Sequence, residues 1–239
     1  MKNIVFIAIL LFAAACGGRG PSLASLGPDV LYADGIAAYE AGDYDRAIRL
    51  LQYFVQEHVA DERAPQVRMI LGQAHAAEEE YITAAAQYQR FLTDYPANER
   101  AVDARYGVCL AYVNLSPDPD LDQEYTHAAI AHCSAIVQYY PDSEQAALAQ
   151  AHLDDLRMKL ARKGYQTGEF YLSRKAYDAA VIYFTDVANN FADTTLAPAA
   201  LKKLVETYTL IGYVEEAAEA KARLLEQYPE SAEAQALRG

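Results

Sequence analysis

Tryptophan is absent from the 239-residue chain, methionine and cysteine occur three times each, and positive charge is scarce, with 20 Lys and Arg against 33 Asp and Glu. The net charge of -13, with no cluster of Lys and Arg to make a local exception, repels phosphate backbones and excludes nucleic acid as a partner. The apolar run from Ile4 to Phe12 is too short to cross a bilayer as a helix. Motifs of chemistry are missing as well. His58, His75, His127, His132 and His152 form no His-Glu-x-x-His arrangement, and there is neither a Gly-x-Ser-x-Gly elbow nor a phosphate-binding glycine loop. The composition therefore argues for a binding protein without catalytic residues, cofactor or metal. No heptad segment announces a coiled coil.

What is present begins with a leader. Lys2, the apolar run and Ala13-Ala14-Ala15 ending at Cys16 form a secretory signal over residues 1–15. Small residues directly before a cysteine resemble the bacterial lipobox, in which that cysteine is acylated and becomes the new N-terminus. Lipidation is therefore expected at Cys16, with 16–28 as a tether. Glycine at position 17, where an aspartate would retain the protein, matches an outer-membrane address. Several acyl chains would hold the protein on a membrane, since each buried methylene contributes about 0.8 kcal/mol.

Beyond the tether the chain repeats itself. Val59-Ala-Asp-Glu-Arg-Ala64, Pro96-Ala-Asn-Glu-Arg-Ala101, Pro141-Asp-Ser-Glu-Gln-Ala146, Ala192-Asp-Thr-Thr-Leu-Ala197 and Pro229-Glu-Ser-Ala-Glu-Ala234 align without gaps. Each reads as a helix ending at an aromatic or His, a residue that breaks it, and a capping side chain for the next helix: Asp61, Asn98, Ser143, Thr194 or Ser231. Within the units, Gly35 precedes Ala47 by twelve residues, Gly72 precedes Ala84, and Gly168 precedes Ala180. Gly107 relates to Ala129 likewise once an insertion is removed, and Val205 and Ala217 hold the same places in the last unit. Paired small residues on opposing helices let the backbones of an antiparallel hairpin approach closely. Gly42 and Gly212 fit the tight turns between them.

This pattern resembles the tetratricopeptide repeat and implies an all-α fold, a solenoid of five helical hairpins over residues 29–239. The hairpins are expected at about 29–60, 62–97, 99–142, 161–193 and 195–230, with a linking helix at about 143–163. A single hairpin cannot bury its apolar faces, so the array is needed for stability, and its stacking creates a concave surface. In such repeats the first helix of each hairpin lines that surface. The contact places there are held by Tyr32, Tyr39, Gln73, Tyr112, Tyr165, Glu169, Lys202 and Glu206. Tyrosine suits peptide capture because it joins apolar area to a hydroxyl; its bland role at each place is packing between helices.

The third unit departs from the others. An insertion around residues 116–124 alternates Asp118, Asp120 and Asp122 like the opening of a calcium loop. Gln123 stands where the bending glycine belongs and Ala129 where a bidentate glutamate belongs, so a solvated loop stiffened by proline is expected. Cys109 and Cys133 fall on the two helices of this unit. They can pair in an oxidising compartment if close enough, although buried cysteine more often packs as a small hydrophobe.

Leu31-Tyr32, Gly42-Asp-Tyr-Asp-Arg-Ala-Ile48, Tyr139-Tyr-Pro-Asp-Ser143 and Gly168-Glu-Phe-Tyr-Leu-Ser-Arg-Lys-Ala-Tyr-Asp-Ala-Ala180, behind a lipoprotein leader, resemble the BamD (YfiO) family of outer-membrane lipoproteins. The likeness runs from about Asp29 to Glu230. It implies a non-enzymatic scaffold anchored on the periplasmic face of the outer membrane. Its implied partners are a BamA-like barrel-forming subunit gripped by the later units, the other lipoproteins of the β-barrel assembly complex, and unfolded outer-membrane proteins met by the first two units. Units one and four depart from the Tyr-Pro pattern, with His58-Val59 and Phe191-Ala192. The rival reading is another periplasmic adaptor, such as the coordinator of the Tol-Pal envelope system, which should carry a coiled coil and fewer hairpins.

Overall fold

The computed structural model describes residues 22–238; the leader and Cys16 lie outside them. The first hairpin is α1 (Pro28–Glu40) and α2 (Tyr44–Glu57), and the second is α3 (Ala64–Ala77) and α4 (Tyr81–Asp94). The third is α5 (Ala101–Leu115) and α6 (Glu124–Tyr139), the fourth α7 (Glu144–Ser173) and α8 (Tyr177–Asn190). The fifth is α9 (Leu196–Ile211) and α10 (Val214–Gln227), and the short α11 (Ala232–Arg238) packs on it. Among the described residues there is no strand, and no helix is long and apolar enough to cross a membrane.

Each helix end follows from its side chains. The second arms stop at His58, Tyr95, Tyr140, Phe191 and Tyr228, all with φ between -123° and -135° and ψ between 37° and 56°. Each of these five residues still donates its amide four residues back, so the last turn closes before the chain turns away. The capping side chains behave less uniformly than the sequence suggests. The hydroxyls of Ser143 and Ser231 accept from the amides of Ala146 and Ala234, both at 3.1 Å, as helix caps. Asp61 and Asn98 instead accept from the amides of Arg63 and Arg100, both at 2.9 Å, forming a turn before helices that begin at Ala64 and Ala101. Thr194 caps nothing: its hydroxyl donates to the Phe191 carbonyl at 2.7 Å. The extra turn ahead of three helices carries the amides that a cap would have taken, through backbone bonds from Ala64, Ala101 and Ala197.

The glycines do something other than pair with alanine. A Cβ on Gly35 would meet Leu51 Cδ2 at 2.5 Å, one on Gly72 would meet Tyr88 Cε1 at 2.5 Å, and one on Gly168 would meet Phe184 Cε1 at 2.7 Å. Each missing side chain makes room for a bulky plug one turn beyond the alanine of the opposing arm. Tyr88 serves twice, because its other edge faces Gly107 of the next hairpin, where a Cβ would meet Cε2 at 2.6 Å. In the fifth hairpin Val205 fills its own place and the plug position is the exposed Lys221.

Two further stretches differ from expectation. Linking helix and fourth hairpin arm are one unbroken 30-residue helix, α7, started by the Ser143 cap; Gly164 and Gly168 inside it lie against Val187 and Phe184 rather than ending it. The insertion is a solvated loop at Asp118, Asp120, Leu121 and Asp122, all exposed, but it is pinned from within. Gln123 is buried at its centre, donating to the carbonyls of Asp118 at 2.8 Å and Leu121 at 3.0 Å. From α7, Lys159 reaches the Ser116 hydroxyl at 2.8 Å and Lys163 reaches the Leu121 carbonyl at 2.5 Å. Cys109 and Cys133 form a disulfide, with Cα atoms 5.0 Å apart. A short 3-10 turn at Leu23–Ser25 precedes α1, and Leu23 and Leu26 pack against the first hairpin, so the end of the expected tether is docked.

Candidate functional site

Each odd-numbered helix touches the next odd-numbered one, from α1 through to α11, while the even-numbered helices pack between them on the other side. The odd helices therefore form the inner face of the array, the surface on which a ligand meets the most helices at once.

At its N-terminal end this face is closed by side-chain rungs. The Tyr32 hydroxyl donates to Gln66 at 2.9 Å and the Tyr39 hydroxyl to Gln73 at 3.3 Å, both from α1 to α3. The Tyr32 ring packs on Phe54, and the Arg63 guanidinium lies 4.9 Å above it while bonding Asp61 and Asp29. Those hydrogen bonds from Arg63 hold the Asp61 carboxyl down to about 2. Burial, with Tyr44 nearby, pushes the Tyr39 phenol up.

Two more rungs join α5 to α7: the Gln145 amide donates to Asp103 at 2.6 Å, and Tyr106 bonds His152 at 3.1 Å with the two rings stacked. Between α3 and α5 there is no such rung but a groove of about 500 Å³. Its floor is apolar, made by Met69, Ala76 and Gly107 with the Tyr88 ring held between its two glycines. Leu110 and Leu148 stand on its wall, 37% and 44% exposed. Gln73, Arg100, Asp103 and Gln145 supply the polar rim. Burial raises the Tyr88 phenol to about 12, with Tyr39 adding to the shift and Arg100 opposing it, so the hydroxyl keeps its proton and can donate or accept.

The C-terminal end of the face is acidic. Tyr165 on α7 packs edge-on against Phe184 at 5.5 Å, and its phenol is raised to about 12 by burial first, then by Glu169, Glu206 and Glu233. Lys203 pairs with Glu206 at 3.2 Å, and Lys202 is half-buried beside it.

The structure thus brings Tyr39 and Gln73 into one rung and Tyr165, Glu169 and Glu206 into one cluster. Tyr112 goes elsewhere: its ring stacks on His132 of α6 at 4.9 Å, inside its own hairpin. Sequence reasoning missed Asp103, Tyr106, Leu110, Gln145, Leu148 and His152. The repeat register carried into the third unit pointed to Tyr112, and no register was available for the first half of α7. The i, i+3, i+7 spacing of Asp103, Tyr106 and Leu110 was the signal for one inward face on α5.

Comparison with known proteins gives a consistent set. A family model described as YfiO, outer membrane lipoprotein, matches residues 26–224. The outer membrane protein assembly factor BamD of Caulobacter vibrioides is 31% identical over 223 residues, covering 90% of this chain and 73% of the relative. Its namesake from Rickettsia prowazekii is 27% identical, covering 84% of this chain and 80% of the relative, and that from Vibrio cholerae is 26% identical, covering 85% and 88%. Among solved structures, the tetratricopeptide domain of P58(IPK) aligns over 87% of this chain and 53% of its own, with 15% identity and a TM-score of 0.47.

Proposed function

This chain belongs to the YfiO family of outer membrane lipoproteins, and we propose that it is an outer membrane protein assembly factor that holds unfolded barrel segments on its inner face without covalent chemistry. The observation that carries this reading is the open groove between α3 and α5, apolar below and ringed by amide, guanidinium and carboxylate groups. An extended peptide needs such a combination, an apolar slot for a side chain and polar partners for the backbone groups it cannot leave unpaired. The rungs on either side hold the walls in place before any ligand arrives, which lowers the ordering cost of binding.

The anchor in this reading is acylated Cys16, which places the array on the periplasmic face of the outer membrane. The second contact is with a BamA-like barrel-forming subunit and the other lipoproteins of the assembly complex. The tips of the fourth and fifth hairpins suit it, since Phe170, Leu210 and Val214 are 50%, 63% and 69% exposed there. Leu23 and Leu26 pack against the first hairpin, so these tips lie at the other end of the array from the first described residues.

The test is binding of a fluorescent peptide from the last strand of an outer-membrane barrel, with Leu148→Asp as the variant. Burying a leucine contributes about 1.5–3 kcal/mol, and 1.4 kcal/mol is tenfold in Kd, so the variant should bind at least about tenfold more weakly. Equal affinity would remove the groove from the reading. Affinity purification from detergent-solubilised envelopes tests the partner: a large barrel protein with periplasmic domains should be retained, and recovery of Tol-Pal components in its place would overturn the assignment.

A further inference from the structure

The third hairpin has neither a plug of its own, as the first, second and fourth have, nor a bulky residue at its small place, as the fifth has in Val205. Leu51, Tyr88 and Phe184 are the plugs of the first, second and fourth hairpins, each four residues beyond the unit's alanine. Four residues beyond Ala129 stands Cys133, too small to plug anything, and the space at Gly107 is already taken by Tyr88. The turn differs too. The other hairpins turn in three residues or fewer, whereas 116–123 separate α5 from α6. A longer connection raises the entropic cost of bringing the arms together. At the plug position the structure has a covalent bond, Cys133 to Cys109, and both residues are 0% exposed.

We propose that Cys109 and Cys133 make the chain a substrate for a disulfide-donating oxidant, that the exchange runs before the third hairpin closes, and that the bond then replaces the missing plug. In the first step the thiolate of one cysteine attacks a sulfur of the oxidant's disulfide, forming a mixed disulfide and releasing one oxidant thiolate. The second cysteine's thiolate then attacks the chain's own sulfur in that mixed disulfide and releases the second oxidant thiolate. The chain loses two protons and two electrons; the oxidant is reduced from disulfide to dithiol. The order follows from burial. Attack needs access to the sulfur, and in the closed hairpin neither sulfur meets solvent. The inference is independent of what the inner face binds.

Oxidation of the full chain by glutathione disulfide tests the order. The reduced protein should form the bond at least about tenfold faster in urea than in buffer, because only the open chain exposes both thiolates; equal rates would overturn it. Thermal melting tests the plug. With the two cysteines at a sequence separation of 24, the loop-entropy relation predicts that Cys109→Ala/Cys133→Ala melts roughly 7–14 °C lower. Cys109→Ala/Cys133→Leu, which puts an apolar side chain into the buried volume that the two sulfurs leave, should recover part of that loss. A double alanine variant melting with the parent would show that the bond holds nothing. Should that variant fail to fold, the comparison is made on the parent chain with and without reductant, where unchanged melting overturns the proposal equally.

Discussion

Replacing Gly107 by alanine adds one methyl group where α5 crosses the ring of Tyr88. Helix propensity by itself favours the change, since glycine inside a helix costs about 1 kcal/mol relative to alanine. The packing opposes it. The new Cβ would stand 2.6 Å from Tyr88 Cε2 and 2.7 Å from both Cδ2 and Cζ, where carbon atoms rest at about 3.5–4.0 Å. The ring cannot retreat, because its opposite edge meets Gly72 in the same way and the residue is only 6% exposed. A shift of nearly 1 Å in a packed ring or helix is overpacking, which costs about 1–3 kcal/mol and with a clash this deep exceeds the propensity gain. The expected result is a net loss of up to about 2 kcal/mol, or a melting midpoint lower by up to roughly 8 °C for a chain of this size. Circular dichroism at 222 nm during heating, repeated in urea, reads this directly. Adding Tyr88→Leu should relieve the clash, so the double variant should lose less than the sum of the two single changes. A Gly107→Ala protein that melts higher than the parent would refute the wedge and leave propensity in charge.

The turns and one acidic group allow two further tests. Glu79 and Lys175 sit at φ 60° and 61°, at the turn places where the first and fifth hairpins have Gly42 and Gly212. Glu79→Gly and Lys175→Gly should each stabilise by up to about 1 kcal/mol in urea unfolding, because a left-handed conformation costs a side-chain-bearing residue that much; no gain would mean that these turns relax. Asp61, held at about 2 by hydrogen bonds from Arg63, contributes stability that is complete above the ordinary carboxylate range and lost as pH falls from about 4 towards 2. Asp61→Asn keeps the acceptor oxygen but not the charge, so the decline of the melting midpoint over that window should flatten; an unchanged acid limb would assign the decline to other carboxylates.

Much of the architecture was legible because it is local. A proline or a turn-forming side chain acts within about four residues, so Pro96, Pro141 and Pro229 mark helix ends wherever the chain goes, and Ser143 and Ser231 cap as their type demands. The spacing of twelve between glycine and alanine located the hairpin crossings for the same reason. Partners across helices were not legible. Gly72 and Gly107 look alike in sequence, yet both serve one tyrosine in a helix between them, and nothing in the spacing of Tyr112 distinguishes a ring facing a ligand from one stacked on His132. The sequence by itself determined an all-helical array of five hairpins, its acidic surface and its family. Only the tertiary structure decided which side of α5 and α7 faces inward, where the open groove lies and that Cys109 meets Cys133, because these depend on how each helix is rotated against its neighbours, and that rotation is set by side chains 34 to 46 residues apart.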